Sequence, residues 1–438
     1  MPSVIVVGGG LAGLSAAAAL GKAGYDVALH EARGFLGGRA TSFPVSPADQ
    51  NSEVIDNCQH VLLRCCVNLL DFYRRLGVLE RVRFFEEFYF IEPGGVLSRL
   101  RRGALPSPLH LAGSFVGLSF LDMGDKLSIA RGMLALRSEH GKRQDLDRIS
   151  MLDWLREKKQ TQTAIDRFWR QVLVSAINED LDYMAAAHGF QVFWLGFLGR
   201  ADSFEMGVPA VPLAELYGAG AWRGIEKVSI HLRSPVERVD LDGSVRIAGE
   251  AASKPDFVVI AVPPERLAGL APDLGVDTAW VEYSPITGIH LWFDRPITSL
   301  PHATLLDRTI QWMFNKNEGR YVQLVVSASR ELSAMHKDEV ITLAMRELQE
   351  FFPAVATANL ERSHVIKELR ATFSARPGVE GLRPGAVTIA PKVFLAGDWT
   401  RSGWPATMEG AVRSGYIAAE AVTSAADQPL KFLIPDLG

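Results

Sequence analysis

The sequence is poor in cysteine: its 438 residues include three, Cys58, Cys65 and Cys66, all in one short stretch. Three neighbouring thiols do not make the disulfide framework of a small secreted protein, and there is no CxxC pair to suggest a zinc or redox motif. We therefore expect no metal site. Free thiols are typical of a reducing compartment, so we expect a cytoplasmic protein in which Cys65 and Cys66 are packing residues.

The chain also lacks an excess of either charge. Its 46 Lys and Arg residues nearly balance 50 Asp and Glu residues, which gives a formal net charge of -4. No stretch offers a basic face suited to a phosphate backbone, so we expect no nucleic-acid partner.

Long apolar runs are missing as well. Apart from the N-terminal residues 1–21, the longest uncharged run is residues 103–121, which contains two prolines, His110 and several glycines and serines. It predicts an apolar loop and the start of a helix, not a membrane span. The first strand is predicted to begin near residue 3, and we expect no signal peptide before it.

What the chain does have is a glycine-rich opening, VIVVGGGLAGLS at residues 4–15. A β-branched run predicts a strand buried on both faces, and an alanine-rich helix ending near Gly24 follows the glycines. Gly8 permits the tight turn, Gly10 lets a pyrophosphate approach the backbone, and Gly13 lets the helix pack close to the strand. A second strand, YDVALH, leads to Glu31, whose carboxylate can accept hydrogen bonds from ribose hydroxyls. The pattern predicts a dinucleotide site at the helix N-terminus.

The residues after Glu31 favour FAD over NAD. The stretch ARGFLGGRATSF places Gly37 and Gly38 before Arg39, so that the chain can pass close to a cofactor and a guanidinium can meet its diphosphate. Nicotinamide dehydrogenases do not usually carry this extension. It resembles the second fingerprint of the flavin amine oxidase superfamily.

The C-terminal stretch VFLAGDWTRSGWPATMEGAVRSGYIAAEAV resembles the closing motif of the same superfamily. It predicts a buried strand at residues 393–396, then Gly397 and Asp398, and a helix after Pro405. The resemblance places Asp398 at a ribitol hydroxyl or a phosphate-bound water. The helix N-terminus would face the pyrimidine edge of the flavin, where reduction places negative charge. Because both ends of the chain build one cofactor site, the middle is predicted to be inserted.

We therefore predict an α/β fold in which a Rossmann-like FAD-binding domain, of the type shared by this superfamily (GR2), carries an inserted α+β substrate domain. The FAD-binding domain is expected to comprise residues 1–95, 207–265 and 385–438. The substrate domain would comprise residues 96–206, which are largely helical, and 266–384. GAGAWRG at 218–224 has the wrong spacing for a second nucleotide motif and predicts a turn. Electrons for the flavin are then expected from an external donor.

A narrower resemblance lies in residues 55–77, IDNCQHVLLRCCVNLLDFYRRLG, and in 367–386 and 396–415. These stretches, with QWMFNK and VVSASREL between them, resemble the squalene-associated FAD-dependent desaturases, the hydroxysqualene dehydroxylases. The resemblance implies reductive removal of the hydroxyl of hydroxysqualene to give squalene, with a hydride from reduced flavin N5 to an allylic carbon. Squalene formation from farnesyl diphosphate, and hopanoid synthesis after it, is the implied setting. Cys58 stands where that family leads us to expect glycine.

Two roles are open for Asp56 and His60, which should pass near the flavin. Either one is the general acid that protonates the departing hydroxyl, or Asp56 orients the loop while His60 hydrogen-bonds flavin or backbone. Glu409 and Arg413 are expected to form an i,i+4 pair, and Trp404 either covers the flavin, lines the tunnel or packs ordinarily. The residues expected to contact FAD, by motif or by resemblance, are Gly8, Gly10, Leu11, Ala12, Gly13, Glu31, Ala32, Arg33, Gly37, Gly38, Arg39, Asn57, Gln59, His60, Val236, Ala261, Pro263, Gly397, Asp398, Pro405, Ala406, Thr407, Met408 and Ala411.

The implied substrate is a polyisoprenoid lipid, so an apolar tunnel is expected, with 188–199, HGFQVFWLGFLG, either lining it or forming ordinary core. Residues 103–121 and the helix at 125–137 would dip into the inner face of the cell membrane, with Lys126, Arg131 and Arg137 at the headgroups. The protein would then be peripheral to that membrane.

Three other functions stay open. A carotenoid (phytoene-type) desaturase shares the fold and the hydrocarbon substrates but transfers hydride in the opposite direction. A flavin amine oxidase usually places an aromatic where this chain has Thr407. A non-catalytic flavoprotein would bind FAD without turning over.

Overall fold

The computed structural model describes residues 2–46 and 52–437. Its strands are β1 (Ser3–Val7), β2 (Asp26–Glu31), β3 (Ser42–Pro44), β4 (Val54–Asp56), β5 (Leu62–Leu63), β6 (Val82–Phe85), β7 (Glu87–Ile91), β8 (Leu97–Arg101), β9 (Met206–Pro209), β10 (Val228–Leu232), β11 (Val236–Val239), β12 (Val245–Ile247), β13 (Phe257–Ile260), β14 (Tyr283–Phe293), β15 (His302–Leu305), β16 (Trp312–Asn317), β17 (Tyr321–Ser327), β18 (Leu360–Phe373) and β19 (Val393–Leu395).

The α-helices are α1 (Leu11–Lys22), α2 (Val67–Arg75), α3 (Ala112–Val116), α4 (Met123–Glu139), α5 (Met151–Glu157), α6 (Gln162–Ala164), α7 (Arg170–Ile177), α8 (Ala186–Phe193), α9 (Leu213–Tyr217), α10 (Pro264–Leu270), α11 (Arg330–Ala334), α12 (Lys337–Phe351) and α13 (Met408–Ala425). Two π-helical turns, Ile165–Trp169 and Trp194–Leu198, join α6 to α7 and extend α8. Short 3₁₀ turns lie at Leu79–Arg81, Ala219–Trp222, Pro272–Leu274, Pro353–Thr357 and Val379–Leu382. None of the helices in the described ranges has both the length and the apolar character needed to cross a bilayer.

A five-stranded parallel sheet collects strands from three distant parts of the chain. Its hydrogen-bonded order is β10-β2-β1-β13-β19, and every neighbouring pair runs parallel. The middle strands are apolar and buried because helices pack on them, as expected of a parallel sheet. Helices α1 and α13, from the two ends of the sequence, lie directly against each other. The α/β class and the Rossmann-like cofactor domain predicted from the sequence are confirmed.

A seven-stranded mixed sheet forms the second layer, in the order β18-β14-β17-β16-β15-β7-β8. The pair β15 and β7 runs parallel, and the other neighbours are antiparallel. The domain boundary predicted at residue 95 divides the β7–β8 hairpin. Because the two strands hydrogen-bond each other and β7 pairs with β15, the whole hairpin lies in this sheet.

The helical insert packs against the larger sheet. Ser150 caps α5, accepting a hydrogen bond from Asp153 N. Helix α7 ends at Asn178, whose φ of 59° is left-handed. The Asn178 side chain donates to Ser284 O at 3.0 Å and to Thr372 Oγ1 at 2.9 Å, and it accepts from Ala328 N at 2.8 Å. These three bonds fix the insert to the sheet.

Residues 188–199 were expected either to line an apolar tunnel or to form ordinary core, and their aromatic side chains pack in the core. Phe190 packs on Trp154 with ring centroids 5.0 Å apart, and Phe193 packs on Trp169 at 4.7 Å. No residue of this stretch lines either cavity described below. These aromatics are buried by neighbouring helices, so little of their surface is left for a ligand.

Candidate active site

The turn between β1 and α1 has the shape that a pyrophosphate needs. Gly8 has a φ of 109°, and a Cβ built on it would lie 2.5 Å from Ala261 O. A Cβ on Gly13 would lie within 3.0 Å of Gly8 O, so the helix packs tightly on the turn. At Gly10, by contrast, a Cβ would meet no atom closer than 4.0 Å. The N-terminus of α1, at Leu11 and Ala12, has no side-chain cap, so its N–H groups are available to an anion.

The second glycine pair lies against this turn. Gly37 and Gly38 both have positive φ, and Gly37 N donates to Gly9 O at 2.8 Å. Glu31, at the end of β2, accepts from Gly9 N at 2.7 Å and from Arg33 N at 2.8 Å. Ala32 and Arg33 are exposed beside it. Glu31 and both glycine loops are thus adjacent, as the motif spacing predicts.

The two ends of the chain meet at an ion pair. Arg39 Nη2 lies 2.6 Å from Asp398 Oδ2, although the residues are 359 positions apart. Arg39 also donates to Ala371 O at 2.7 Å. Gly397 N donates to Ser414 Oγ at 2.9 Å, which fixes the β19 turn to α13.

Helix α13 follows the β19 turn in the chain. Thr407 is its N-cap and accepts from Gly410 N at 3.0 Å, and Ala411 N donates to Thr407 O. Pro405 and Ala406 are buried just before it, and Met408 is its first residue. Of the sites predicted on the adenine side, Val236 begins β11, Ala261 follows β13, and Pro263 is the exposed N-cap of α10.

Trp404 packs between Cys65 and Leu195, and its indole donates to Asp436 Oδ1 at 3.0 Å. Its side chain is thereby engaged in core packing and in holding the C-terminal segment. Arg413 Nη1 lies 3.9 Å from Glu409 Oε1 but 2.8 Å from Asp436 Oδ1. The expected i,i+4 pair is therefore the weaker contact of Arg413.

Glu409 instead caps a neighbouring helix. Its carboxyl group accepts from Leu69 N at 2.7 Å and from the Asn68 side chain at 2.8 Å, at the start of α2. The side chain is fully buried, and burial raises the pKa of Glu409 to about 7.

The segment 55–60 places Asp56 inside the protein. Its carboxylate accepts from Ser42 Oγ at 2.7 Å and from Leu213 N at 2.9 Å, and Lys316 Nζ lies 3.6 Å away. Asp56 thus anchors the segment to β3 and to the start of α9. Cys58, in the position where glycine is expected, does not adopt a positive φ, so this turn does not require glycine.

His60 and Asn57 are held by backbone and side-chain contacts. His60 Nδ1 lies 2.8 Å from Cys58 O; a carbonyl can only accept, so Nδ1 carries the hydrogen. Burial lowers the pKa of His60, which favours the neutral ring. Asn57 Nδ2 donates to Arg39 O at 3.2 Å.

The family follows from comparison with known proteins. The model of the flavin-containing amine oxidoreductases matches residues 11–423. The chain belongs to this family. It is 30% identical to a hydroxysqualene dehydroxylase of Rhodopseudomonas palustris, covering 97% of this chain and 99% of the relative. It is 26% identical to a probable zeta-carotene desaturase of Synechococcus elongatus, covering 96% and 98%.

A solved oxidoreductase of Methanosarcina mazei has the same fold, with a TM-score of 0.70 at 16% identity, over 94% of this chain and 98% of that one. This flavin-containing amine oxidoreductase is an FAD-dependent oxidoreductase, and FAD is its cofactor. The free N-terminus of α1, the glycines with no space for a side chain, and Arg39 fit the diphosphate of that cofactor.

Two adjoining cavities lie in this oxidoreductase, one of which reaches segment 57–60 at Gln59. The inner one, of about 390 Å³, is lined by Gln59, Arg83, Phe85, Val208, Ser299, Pro301, His302, Phe314, Asn315, Lys316 and Glu318. The outer one, of about 470 Å³, shares Ser299, Asn315 and Glu318 with it and is also lined by Pro296, Ile297 and Thr298. The inner cavity therefore lies between a predicted FAD-contacting segment and the seven-stranded sheet.

Lys316 is a candidate functional residue that sequence reasoning missed. Its Nζ donates to Gln59 Oε1 at 2.7 Å, across 257 positions of sequence. A signal was present in the stretch QWMFNK: Trp312, Phe314 and Lys316 alternate along β16 and share one face. A lysine on an otherwise aromatic strand face indicates a polar function.

Proposed function

We propose that this enzyme removes the hydroxyl group of hydroxysqualene reductively and forms squalene. The observation that carries the proposal is the full-length similarity, at 30% identity, to an enzyme of that name. The inner cavity supports it, because its lining combines apolar side chains such as Phe85 and Phe314 with polar ones such as Gln59 and Lys316. A long hydrocarbon that carries one hydroxyl needs both kinds of surface.

The chemistry sets three tasks. Hydroxide is a poor leaving group, so an acid must protonate the departing oxygen, which contributes roughly 10²–10⁴ in rate. The resulting allylic cation must be shielded from water, which would return the alcohol. Bound FAD, when reduced, supplies the hydride. The chain's own residues must hold the substrate, donate the proton and exclude solvent.

The test is a single turnover without oxygen. Photoreduced enzyme is mixed with hydroxysqualene, the flavin absorbance is followed, and the lipid is extracted. We expect flavin reoxidation with squalene as product. Oxidised enzyme is the control and should leave the substrate unchanged. If the reduced enzyme neither reoxidises nor forms squalene, the proposal is refuted.

The second candidate function is that of a carotenoid desaturase, favoured by the 26% identity to a zeta-carotene desaturase over nearly the whole chain. Incubation of the oxidised enzyme with phytoene and an electron acceptor distinguishes the two, because a desaturase introduces double bonds. The amine oxidase alternative has less support: Thr407, in the position of the expected aromatic, has its hydroxyl engaged as the cap of α13. Formation of hydrogen peroxide on incubation with amines would support the amine oxidase function instead.

The roles of Asp56 and His60 stay predictions. We expect Asp56→Asn or His60→Ala to slow the single turnover while FAD remains bound, because both residues belong to the segment that carries Gln59 into the inner cavity and their removal disturbs it. Rates equal to wild type in both variants would remove these residues from the reaction.

We further propose that the lipid reaches this enzyme from a membrane surface. Six large apolar side chains are more than half exposed in one region: Leu105, Leu109, Val116, Met123, Leu127 and Leu134. Met123, Leu127 and Leu134 share one face of α4, with exposed Arg131 and Arg137 beside them. Lys126 is engaged differently, because its ammonium donates to Val116 O at 2.8 Å.

Vesicle sedimentation tests this surface. We expect binding to anionic phospholipid vesicles that Leu127→Ser with Leu134→Ser reduces at least tenfold. Leu369→Ser is the matched control, since Leu369 is 57% exposed on β18, away from the patch. Equal binding by all three proteins would refute the surface.

The reductant is proposed to come from outside the chain, because the sequence has no second dinucleotide motif. NADPH alone should then leave the flavin oxidised under anaerobic conditions. Rapid bleaching of the flavin by NADPH would refute this.

A further inference from the structure

Lys316 occupies a position from which its ammonium can reach a ligand. It lies on β16, lines the inner cavity, and has a side chain only 19% exposed. Its Nζ donates to Gln59 Oε1 at 2.7 Å and lies 3.6 Å from Asp56 Oδ2. These two contacts hold the ammonium beside Gln59 and Asp56.

The same cavity is lined by a second buried polar group, His302. It is 1% exposed, and neither of its ring nitrogens makes a hydrogen bond of ordinary geometry, although the Glu87 backbone lies near enough to act on its pKa. It pairs with Phe314 across β15 and β16 and packs edge-on to Phe85. Burial lowers the pKa of His302 to about 4, so the ring is neutral and offers one N–H and one lone pair. A buried polar group normally has a partner, so this one points to a polar group on a ligand.

The other titratable groups around Lys316 are poorly placed to give a proton. Arg83 and Glu318 also line the cavity, but both side chains are exposed to water. The Asp56 carboxyl group is engaged as an acceptor by Ser42 Oγ and Leu213 N and faces an ammonium. The neutral His60 ring already directs its Nδ1 hydrogen at Cys58 O. Lys316 has three N–H donors, of which Gln59 takes one.

We propose that Lys316 is the proton donor of the dehydroxylation and that His302 helps to hold the hydroxyl in the inner cavity. This assignment rests on the proposed function. A proton passes from the Lys316 ammonium to the hydroxyl oxygen while the C–O bond breaks, and both bonding electrons leave with water. Lysine becomes a neutral amine, and the allylic cation then takes a hydride, with its two electrons, from the reduced cofactor.

Electrostatics favours a cationic acid here. As positive charge develops on the allylic carbon, the lysine loses its own, so two neighbouring cations never coexist in a buried cavity. Burial lowers the pKa of Lys316, while Asp56 opposes the shift, and a lowered value eases the transfer of the proton. Asp56 is then a positioning residue, which keeps the ammonium charged and directed at the cavity.

Lys316→Arg is the most informative variant, because arginine keeps the positive charge but does not release a proton. In the anaerobic single turnover we expect the rate of squalene formation to fall roughly 10²–10⁴-fold. FAD binding and the thermal midpoint should stay close to wild type. Lys142→Arg, at an exposed lysine of the helical insert, is the matched control and should leave the rate unchanged.

Two readouts separate a proton donor from a structural lysine. The wild-type rate should fall as pH rises through the pKa of Lys316, and Asp56→Asn should move that fall to lower pH. NMR titration of ¹³C-methylated lysines, assigned with Lys316→Arg, should find one lysine with a lowered pKa.

The outcomes are distinguishable. If wild type forms squalene and Lys316→Arg does so equally fast, the proton-donor assignment is overturned while the proposed function stands. If Lys316 titrates like an exposed lysine and the rate is flat with pH, the assignment also fails. If wild type leaves hydroxysqualene unchanged, the proposed function fails and the assignment with it.

Discussion

The contact between α1 and α13 gives the sharpest prediction about stability. A Cβ built on Gly415 would lie within 3.0 Å of Ser15 Oγ and of Ala12 O, distances that real Cβ atoms essentially never show. The serine hydroxyl can rotate, but the Ala12 carbonyl belongs to the backbone of α1. Gly415→Ala must therefore push apart the two helices that bring the ends of the chain together.

The expected magnitude follows from two opposing effects. Alanine in place of glycine in a helix stabilises by about 0.5–1 kcal/mol. Overpacking a filled interface costs about 1–3 kcal/mol, and a rigid backbone atom places this case at the upper end. We expect a net loss of about 2 kcal/mol. Because α1 also carries the phosphate-binding turn, FAD should dissociate at a lower temperature.

Gly269→Ala is the matched control. Gly269 lies in α10, is exposed, and has no atom within 4 Å of its Cβ position, so alanine should stabilise slightly. Thermal unfolding followed by circular dichroism, and FAD release followed by flavin fluorescence, measure both variants. If Gly415→Ala raises both midpoints as Gly269→Ala does, the close-packing argument is refuted.

Three further predictions concern buried charges and hydrogen bonds. The folded pKa of Glu409, about 7, lies above its ordinary 4.5, so its contribution to stability is complete below 4.5 and is lost as pH rises to 7. In urea denaturation, the free energy of unfolding of wild type should fall between pH 5 and pH 8. In Glu409→Gln this fall should be smaller, by up to about 3 kcal/mol. Parallel pH curves for the two proteins would contradict this. Arg39→Met should weaken FAD binding at least tenfold in a fluorescence titration, since it leaves Asp398 without its ion-pair partner; unchanged affinity would refute it. Asn178→Ala should lower the free energy of unfolding in urea by about 3 kcal/mol, because it removes three buried hydrogen bonds and places alanine in a left-handed backbone conformation. Asn178→Gly should lose less, because glycine tolerates that conformation. Equal losses would exclude the backbone contribution.

Much of the cofactor site was predictable because its signals are local. The run Val4–Val7, the glycines after it and Glu31 lie within one strand, helix and strand, so spacing alone places them together. The cap at Ser150 and the turn near Gly24 depend on neighbours only a few residues away. The meeting of the two chain ends was predicted because each carries part of one motif, but the ion pair between Arg39 and Asp398 was not.

The helical insert and the seven-stranded sheet were less predictable, because their contacts join residues that are far apart in the chain. The side chains of Phe190 and Phe193 have the composition expected of a tunnel, yet neighbouring helices bury them in the core. The boundary drawn at residue 95 missed the β7–β8 hairpin, since strand pairing across the sheet does not appear in local composition.

By itself the sequence determined the fold class, the dinucleotide turn and the cofactor, because a glycine pattern between a buried strand and a helix has few alternative structures. The tertiary structure decided which polar groups reach the substrate cavity. It buried Asp56 among Ser42 and Leu213 and brought Lys316 to Gln59. The physical reason is that a proton donor depends on burial and on charged neighbours, and folding alone sets both, by joining strands that are far apart in the chain.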